Sequence, residues 1–182
     1  MAITEFVVQE FRLHTADAAD EAARIVAKLP DGIEPGVPLL RSIDDHRDVA
    51  IVGALHDGER FDERGQRAAL DPLVATWRPL KRYGSRIAET AKSPPSSYRL
   101  AVTESGINGQ VTDAPTAPDV AAHDAPTTPF GLMWVGAPLG TYAGLMVLLG
   151  SYDDPATDRP DPPEWPLTLS RQLQVRIYET PR

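Results

Sequence analysis

Proline decides what this chain can fold into. Its ring fixes φ and removes a backbone donor, which excludes it from helix interiors and from central strand positions. Eighteen prolines occur in 182 residues, and they gather at Pro94-Pro95, between residues 115 and 129, and between 155 and 166. Helices are thereby pushed into the first ninety residues, and the remainder has to be strand and loop.

Within that first half the apolar spacing is regular. Ile3 to His14, rich in Ile, Phe and Val, predicts a strand. Thr15 is placed to cap a following helix, with Asp17, Asp20 and Glu21 at its positive end and Ala19, Ala22, Ala23, Val26 and Leu29 at helical spacing. Pro30-Asp31-Gly32 stops it. Val37 to Ile43 and Asp48 to His56 are two apolar runs joined by Asp44-Asp45-His46-Arg47, the pattern of a hairpin. Phe61 to Trp77 predicts a second helix with Ala68, Ala69, Leu73, Val74 and Trp77 on one face, and Lys81 to Thr90 a fourth strand. The order is β-α-β-β-α-β, ferredoxin-like.

The second half repeats the strands without the helices. Residues 92–97 read as a linker. Strands follow at Tyr98 to Glu104, at Leu132 to Tyr152 as an apolar hairpin around a Gly-Ala-Pro-Leu-Gly turn, and at Leu169 to Thr180, with Pro-rich loops between. Both halves end in one motif, Arg86-Ile-Ala-Glu-Thr90 and Arg176-Ile-Tyr-Glu-Thr180. The division expected is a ferredoxin-like α+β half, 1–91, and a degenerate strand-rich half, 98–182. A chance match and a true duplication are both open at this point.

A formal charge of −8 argues against nucleic acid, since phosphate binding needs a basic face. There are no cysteines, hence no disulfide, zinc-thiolate site or thiol nucleophile. The N-terminus carries no basic region followed by an apolar one, so a cytoplasmic protein is expected. Ala125 to Tyr152 lacks charge, yet its glycines and Pro138 fit two buried strands better than a membrane span. No metal-ligand spacing, Gly-rich phosphate loop or Gly-x-Ser-x-Gly element is present, so no cofactor is expected.

The first ninety residues resemble the dimeric α/β barrel superfamily, in particular its antibiotic-biosynthesis-monooxygenase branch. The resemblance lies in the first strand, the Ala-rich helix, Glu34-Pro-Gly-Val-Pro-Leu-Leu-Arg-Ser-Ile43, the hairpin, and a helix with an aromatic residue near its end. It implies a barrel made from two ferredoxin-like sheets, a homodimer, and an apolar pocket for a flat aromatic or polyketide-like molecule. Cofactor-independent oxygenation occurs among such proteins, as do cyclases.

Candidate site residues follow from position. His14 ends the first strand and His56 the third; taken as parallel neighbours, those strands bring both imidazoles to one sheet edge, where either can serve as a general base or be a plain exposed strand end. Arg86 is suited to stabilising an enolate or phenolate. Trp77, Tyr83, Trp134 and Tyr142 are candidate walls for an aromatic substrate, or simply packing residues. His46 and His123 fall in turn and loop, as surface residues. Three functions are compatible: a cofactor-free oxygenase or polyketide cyclase, a non-catalytic small-molecule-binding or assembly protein of the same fold, and a closed antiparallel barrel that folds a polyene by shape.

Overall fold

The computed structural model describes residues 3–29, 38–88, 97–105, 132–138, 146–151 and 173–181. Among these, the elements in chain order are β1 (Ile3–Leu13), α1 (Ala19–Val26), β2 (Leu40–Ser42), β3 (Asp48–His56), α2 (Glu63–Leu70), β4 (Val74–Trp77), β5 (Lys81–Ala88), β6 (Ser97–Ser105), β7 (Leu132–Pro138), β8 (Met146–Ser151) and β9 (Leu173–Glu179). The class is α+β. No helix among the described residues is long and apolar enough to cross a membrane.

Local chemistry accounts for most of these boundaries. A 3-10 turn at Ala16–Ala18 separates Thr15 from α1, and the Thr15 hydroxyl makes no capping bond. At α2, by contrast, the Asp62 side chain accepts from the Gly65 amide at 2.9 Å, satisfying a free donor of the first turn. The sequence predicts that α2 reaches Trp77, but it ends at Leu70. Pro72 sits in a 3-10 turn, Asp71–Leu73, and the chain leaves it as the short strand β4. In that strand Val74 is buried and Ala75 and Thr76 are exposed.

All strand pairings are antiparallel. In the first half the order is β5-β1-β3-β2, and in the second it is β9-β6-β8-β7. Each is the ferredoxin-like order, fourth strand, first, third, second. The second strand of each half pairs with the fourth strand of the other, β2 with β9 and β7 with β5. Followed round, the pairings return to β1, and β4 hangs from the end of β1. The pairing of β1 with β3 corrects the parallel arrangement. A helical crossover makes β1 and β2 parallel, and the hairpin then inserts β3 between them, antiparallel to both: Ile3 stands opposite His56 and Arg12 opposite Asp48.

The register also shows which residues take matching places in the halves. Lys81 lies opposite Val8 and Tyr83 opposite Phe6; Arg176 lies opposite Val102 and Tyr178 opposite Leu100. Lys81-x-Tyr83 is therefore the counterpart of Arg176-x-Tyr178, out of step with the Arg86 and Arg176 motif match.

Alternation along the strands makes two cores. Phe11, Leu13, Val49 and Ile51 pack with Ala19, Ala22 and Val26 of α1 and Leu70 of α2. Phe6, Val8, Ala50, Val52, Tyr83, Tyr98, Leu100 and Tyr178 form the other, which joins strands that are not neighbours in the sheet and so fills the inside of the ring. Leu100 is fully buried there. Leu100→Ala is expected to lower unfolding free energy by about 2–5 kcal/mol, read as a drop in the urea midpoint at constant slope.

Candidate functional site

Glu10 interrupts an apolar strand, Val7-Val8-Gln9-Glu10-Phe11, on the face that points into the ring. Its side chain is 1% exposed. A carboxylate so placed has to be paired, and three side chains from two other strands do this. Arg176 donates from Nε to Oε1 at 2.5 Å and from Nη2 to Oε2 at 2.8 Å. The Tyr178 hydroxyl donates to Oε1 at 2.6 Å, and Lys81 Nζ to Oε2 at 3.1 Å. The matching residues of the two fourth strands thus converge on one carboxylate of the first strand.

The electrostatics follow from this geometry. Burial works to raise the Glu10 carboxyl, but the Arg176 hydrogen bond and the charges of Lys81 and Arg176 outweigh it and hold it at about 2. Burial lowers the Lys81 ammonium to about 8, against the opposing pull of Glu10. Tyr178 is pushed above its ordinary value, first by burial and then by the Glu10 charge. Among the described residues one carboxylate, Glu10, bonds two cations inside an apolar enclosure. Such a set is suited to stabilising a second negative charge that develops on a bound molecule.

The candidate residues read from the sequence distribute differently. His14 is exposed and His56 half-buried, and antiparallel pairing puts them at opposite ends of β1. Trp77 lies on the helix side, its ring 4.9 Å from Phe11, its Nε1 donating to Asp71 at 3.1 Å and the Arg67 guanidinium 5.2 Å over its face. Tyr83 is buried on the opposite face of the sheet, inside the ring. Arg86 and Trp134 belong to β5 and β7, where Ala88 pairs with Trp134, and their side chains lie outside the description. Tyr142 and His123 lie outside the described residues, as do the linker and the Pro-rich segments between strands.

Glu10, Lys81, Arg176 and Tyr178 were not singled out by the sequence reading. Two signals point to them: a charge inside an apolar strand, and a cation two residues before a tyrosine in both fourth strands.

Glu10→Gln keeps the shape of the side chain and removes the carboxylate charge that Lys81 and Arg176 share. We expect a loss of about 3–5 kcal/mol. In the native chain the folded carboxyl titrates below its unfolded value of 4.5, so the unfolded state takes up the proton first. Glu10 therefore contributes stability that is fully present above about pH 4.5 and is lost as pH falls through about 2, a term of about 3 kcal/mol. Urea titrations at successive pH values check this, and Glu10→Gln should lack that part of the acid dependence.

No family model matches the chain, and no curated protein matches it in sequence. Solved structures do match it in fold. A provisionally assigned monooxygenase from Lactobacillus acidophilus NCFM superposes with a TM-score of 0.54 at 11% identity, over 97% of this chain and 93% of its own. An anthrone oxidase-like protein superposes with a TM-score of 0.55 at 12% identity, over 100% of this chain and 92% of its own. At such identity the likeness is one of fold. The chain shares the architecture of these two proteins along essentially its whole described length.

Proposed function

We propose that this chain is a cytoplasmic small-molecule oxygenase of the dimeric α/β barrel type, with the two half-barrels joined in one polypeptide. It acts on a flat aromatic, polyketide-like substrate inside the ring and uses no bound cofactor. The observation that carries the reading is the Glu10, Lys81, Arg176 and Tyr178 set, two cations and a phenol gathered on one buried carboxylate beside the apolar side chains Phe6, Val8, Tyr83 and Leu100. The names of the two fold neighbours point the same way.

The chemistry such a site favours begins with loss of a proton from an acidic CH2 flanked by aromatic rings. The carbanion, its charge spread onto an oxygen, is stabilised by Arg176 and Lys81. Dioxygen adds at carbon, and the hydroperoxide loses water to leave a carbonyl. The sum is CH2 + O2 → C=O + H2O, with one oxygen atom in product and one in water. His14, His56 and Arg86 are proposed as proton-transfer and charge-stabilising groups at the ends of the ring. Trp134 and Tyr142 are proposed wall residues. Because the pairings close within one chain, a homodimer of such chains would associate through outer surfaces.

A second reading is supported by the saturation of the cluster itself. Both cations already have Glu10 as a partner, which suits a binding or assembly protein equally. Anthrone supplied to the purified chain separates the readings. Oxygen uptake above the uncatalysed rate, stopping under nitrogen, supports oxygenation, and Arg176→Gln should then cut the rate by about 10²-fold. Turnover of an uncyclised aromatic polyketide under nitrogen points instead to a cyclase, and binding of anthrone without turnover to the second reading. Unchanged rates in His14→Ala, His56→Ala and Arg86→Ala would remove those residues from the mechanism.

A further inference from the structure

Lys81 has the surroundings of a reactive amine. Of the three lysines, Lys28 is exposed just beyond α1, Lys92 lies outside the described residues, and Lys81 is 3% exposed inside the ring. Its Nζ shares one oxygen, Glu10 Oε2, with Arg176 Nη2. A lysine amine becomes nucleophilic when it is desolvated or placed beside another cation, and both conditions hold here. The charged groups that act on it are Glu10 of β1, Arg176 of β9 and Arg78 just before β5, and the Tyr178 hydroxyl of β9 bonds the other oxygen of Glu10. Burial, Arg176 and Arg78 favour the neutral amine, and Glu10 opposes them.

We propose that Lys81 is a covalent attachment site for carbonyl compounds, small aldehydes and ketones, which it holds as an iminium ion against Glu10. The neutral amine adds to the carbonyl carbon, and the oxygen leaves as water with the two amine protons. The proton released when the ammonium deprotonated returns to the nitrogen, so that ammonium plus carbonyl gives iminium plus water. The positive charge on nitrogen is the same before and after. Glu10 therefore keeps its counter-ion, and the cluster is not broken by the adduct. The side chains buried in the same core beside Lys81 in the register, Phe6, Val8 and Tyr83, are apolar or aromatic. This chemistry needs no oxygen and is independent of the oxygenation reading.

The test uses the full chain and 2,4-pentanedione, whose first-formed iminium loses its acidic carbon-bound proton to give a neutral, stable, ultraviolet-absorbing enaminone that marks the site of attachment for peptide mass mapping. Labelling is expected first at Lys81, at the same rate in air and under nitrogen, and half-maximal near pH 8 as the amine loses its proton, against 10.5 for an ordinary lysine. Mass mapping separates this signal from the amino terminus, which titrates nearby. Lys81→Arg keeps the charge on Glu10 and should fold, as judged by circular dichroism and Tm, without that adduct. Glu10→Gln, where it folds, should shift the pH midpoint of labelling downward. Labelling of Lys28 or Lys92 at a rate equal to that of Lys81, absence of any Lys81 adduct in the native chain, or an adduct yield unchanged in Lys81→Arg would each overturn the assignment.

Discussion

A single carboxylate holds the two ends of this chain in relation to one another. Glu10 sits in the first strand, and the donors that satisfy it come from β5 and from β9, up to 168 residues away. An apolar set of equal volume would add as much or more to stability, because desolvating the charges offsets most of their attraction. The cluster instead penalises alternatives. A slip of one residue in β1, β5 or β9 turns a charged member to the other face and leaves the rest buried without partners. Closure of the ring and correct register are therefore coupled through four side chains.

The same alternation that points Glu10 inward points Gln9 and Phe11 toward the helices. Gln9 Nε2 donates to the carbonyl oxygens of Arg78 and Glu10, tying the segment before β5 to β1. Arg67 of α2 reaches Gln9 at 3.5 Å, pairs with Glu63 at 3.0 Å and lies over Trp77. These contacts hold the Trp77 ring on the helix side of the sheet, at the end of β4. The strand β1 thus separates an ordinary sheet-on-helix core from an interior with a charged centre. Chemistry and packing are kept on opposite faces of one element.

Charge at the outer surface follows a different logic. Arg12 donates to Asp48 at 2.9 Å and also engages Asp45, and Arg47 pairs with Asp45. These groups are partly exposed at the turn between β2 and β3, where solvent screens such pairs and each contributes little. They brace a hairpin, whereas the interior set has no solvent to replace a lost partner.

Elements with a clear local period were legible in the sequence. β3 runs from Asp48 to His56 as its apolar run indicates, and the helix that follows β1 lies where Ala19, Ala22 and Val26 recur at helical spacing. Pro72 falls inside the stretch whose spacing predicts one helix to Trp77, yet it marks the end of α2 and the start of β4, because the competing periods of 3.6 and 2 overlap in so short a stretch. Strand direction was not legible: hydrophobic pattern is blind to whether neighbours run parallel, and the antiparallel β1–β3 pairing moved His14 and His56 to opposite ends. The Arg-Ile-x-Glu-Thr repeat named the right pair of strands and the wrong pair of residues, since cross-strand register, which places Lys81 against Val8 and Arg176 against Val102, is a property of partners and not of either strand alone. The sequence by itself determined the elements with a clear local period, such as β3 and the helix after β1, and that a charge stands inside an apolar strand. Tertiary structure alone decided that Lys81, Arg176 and Tyr178 meet that charge, because their convergence depends on a ring closed by strands from both ends of the chain.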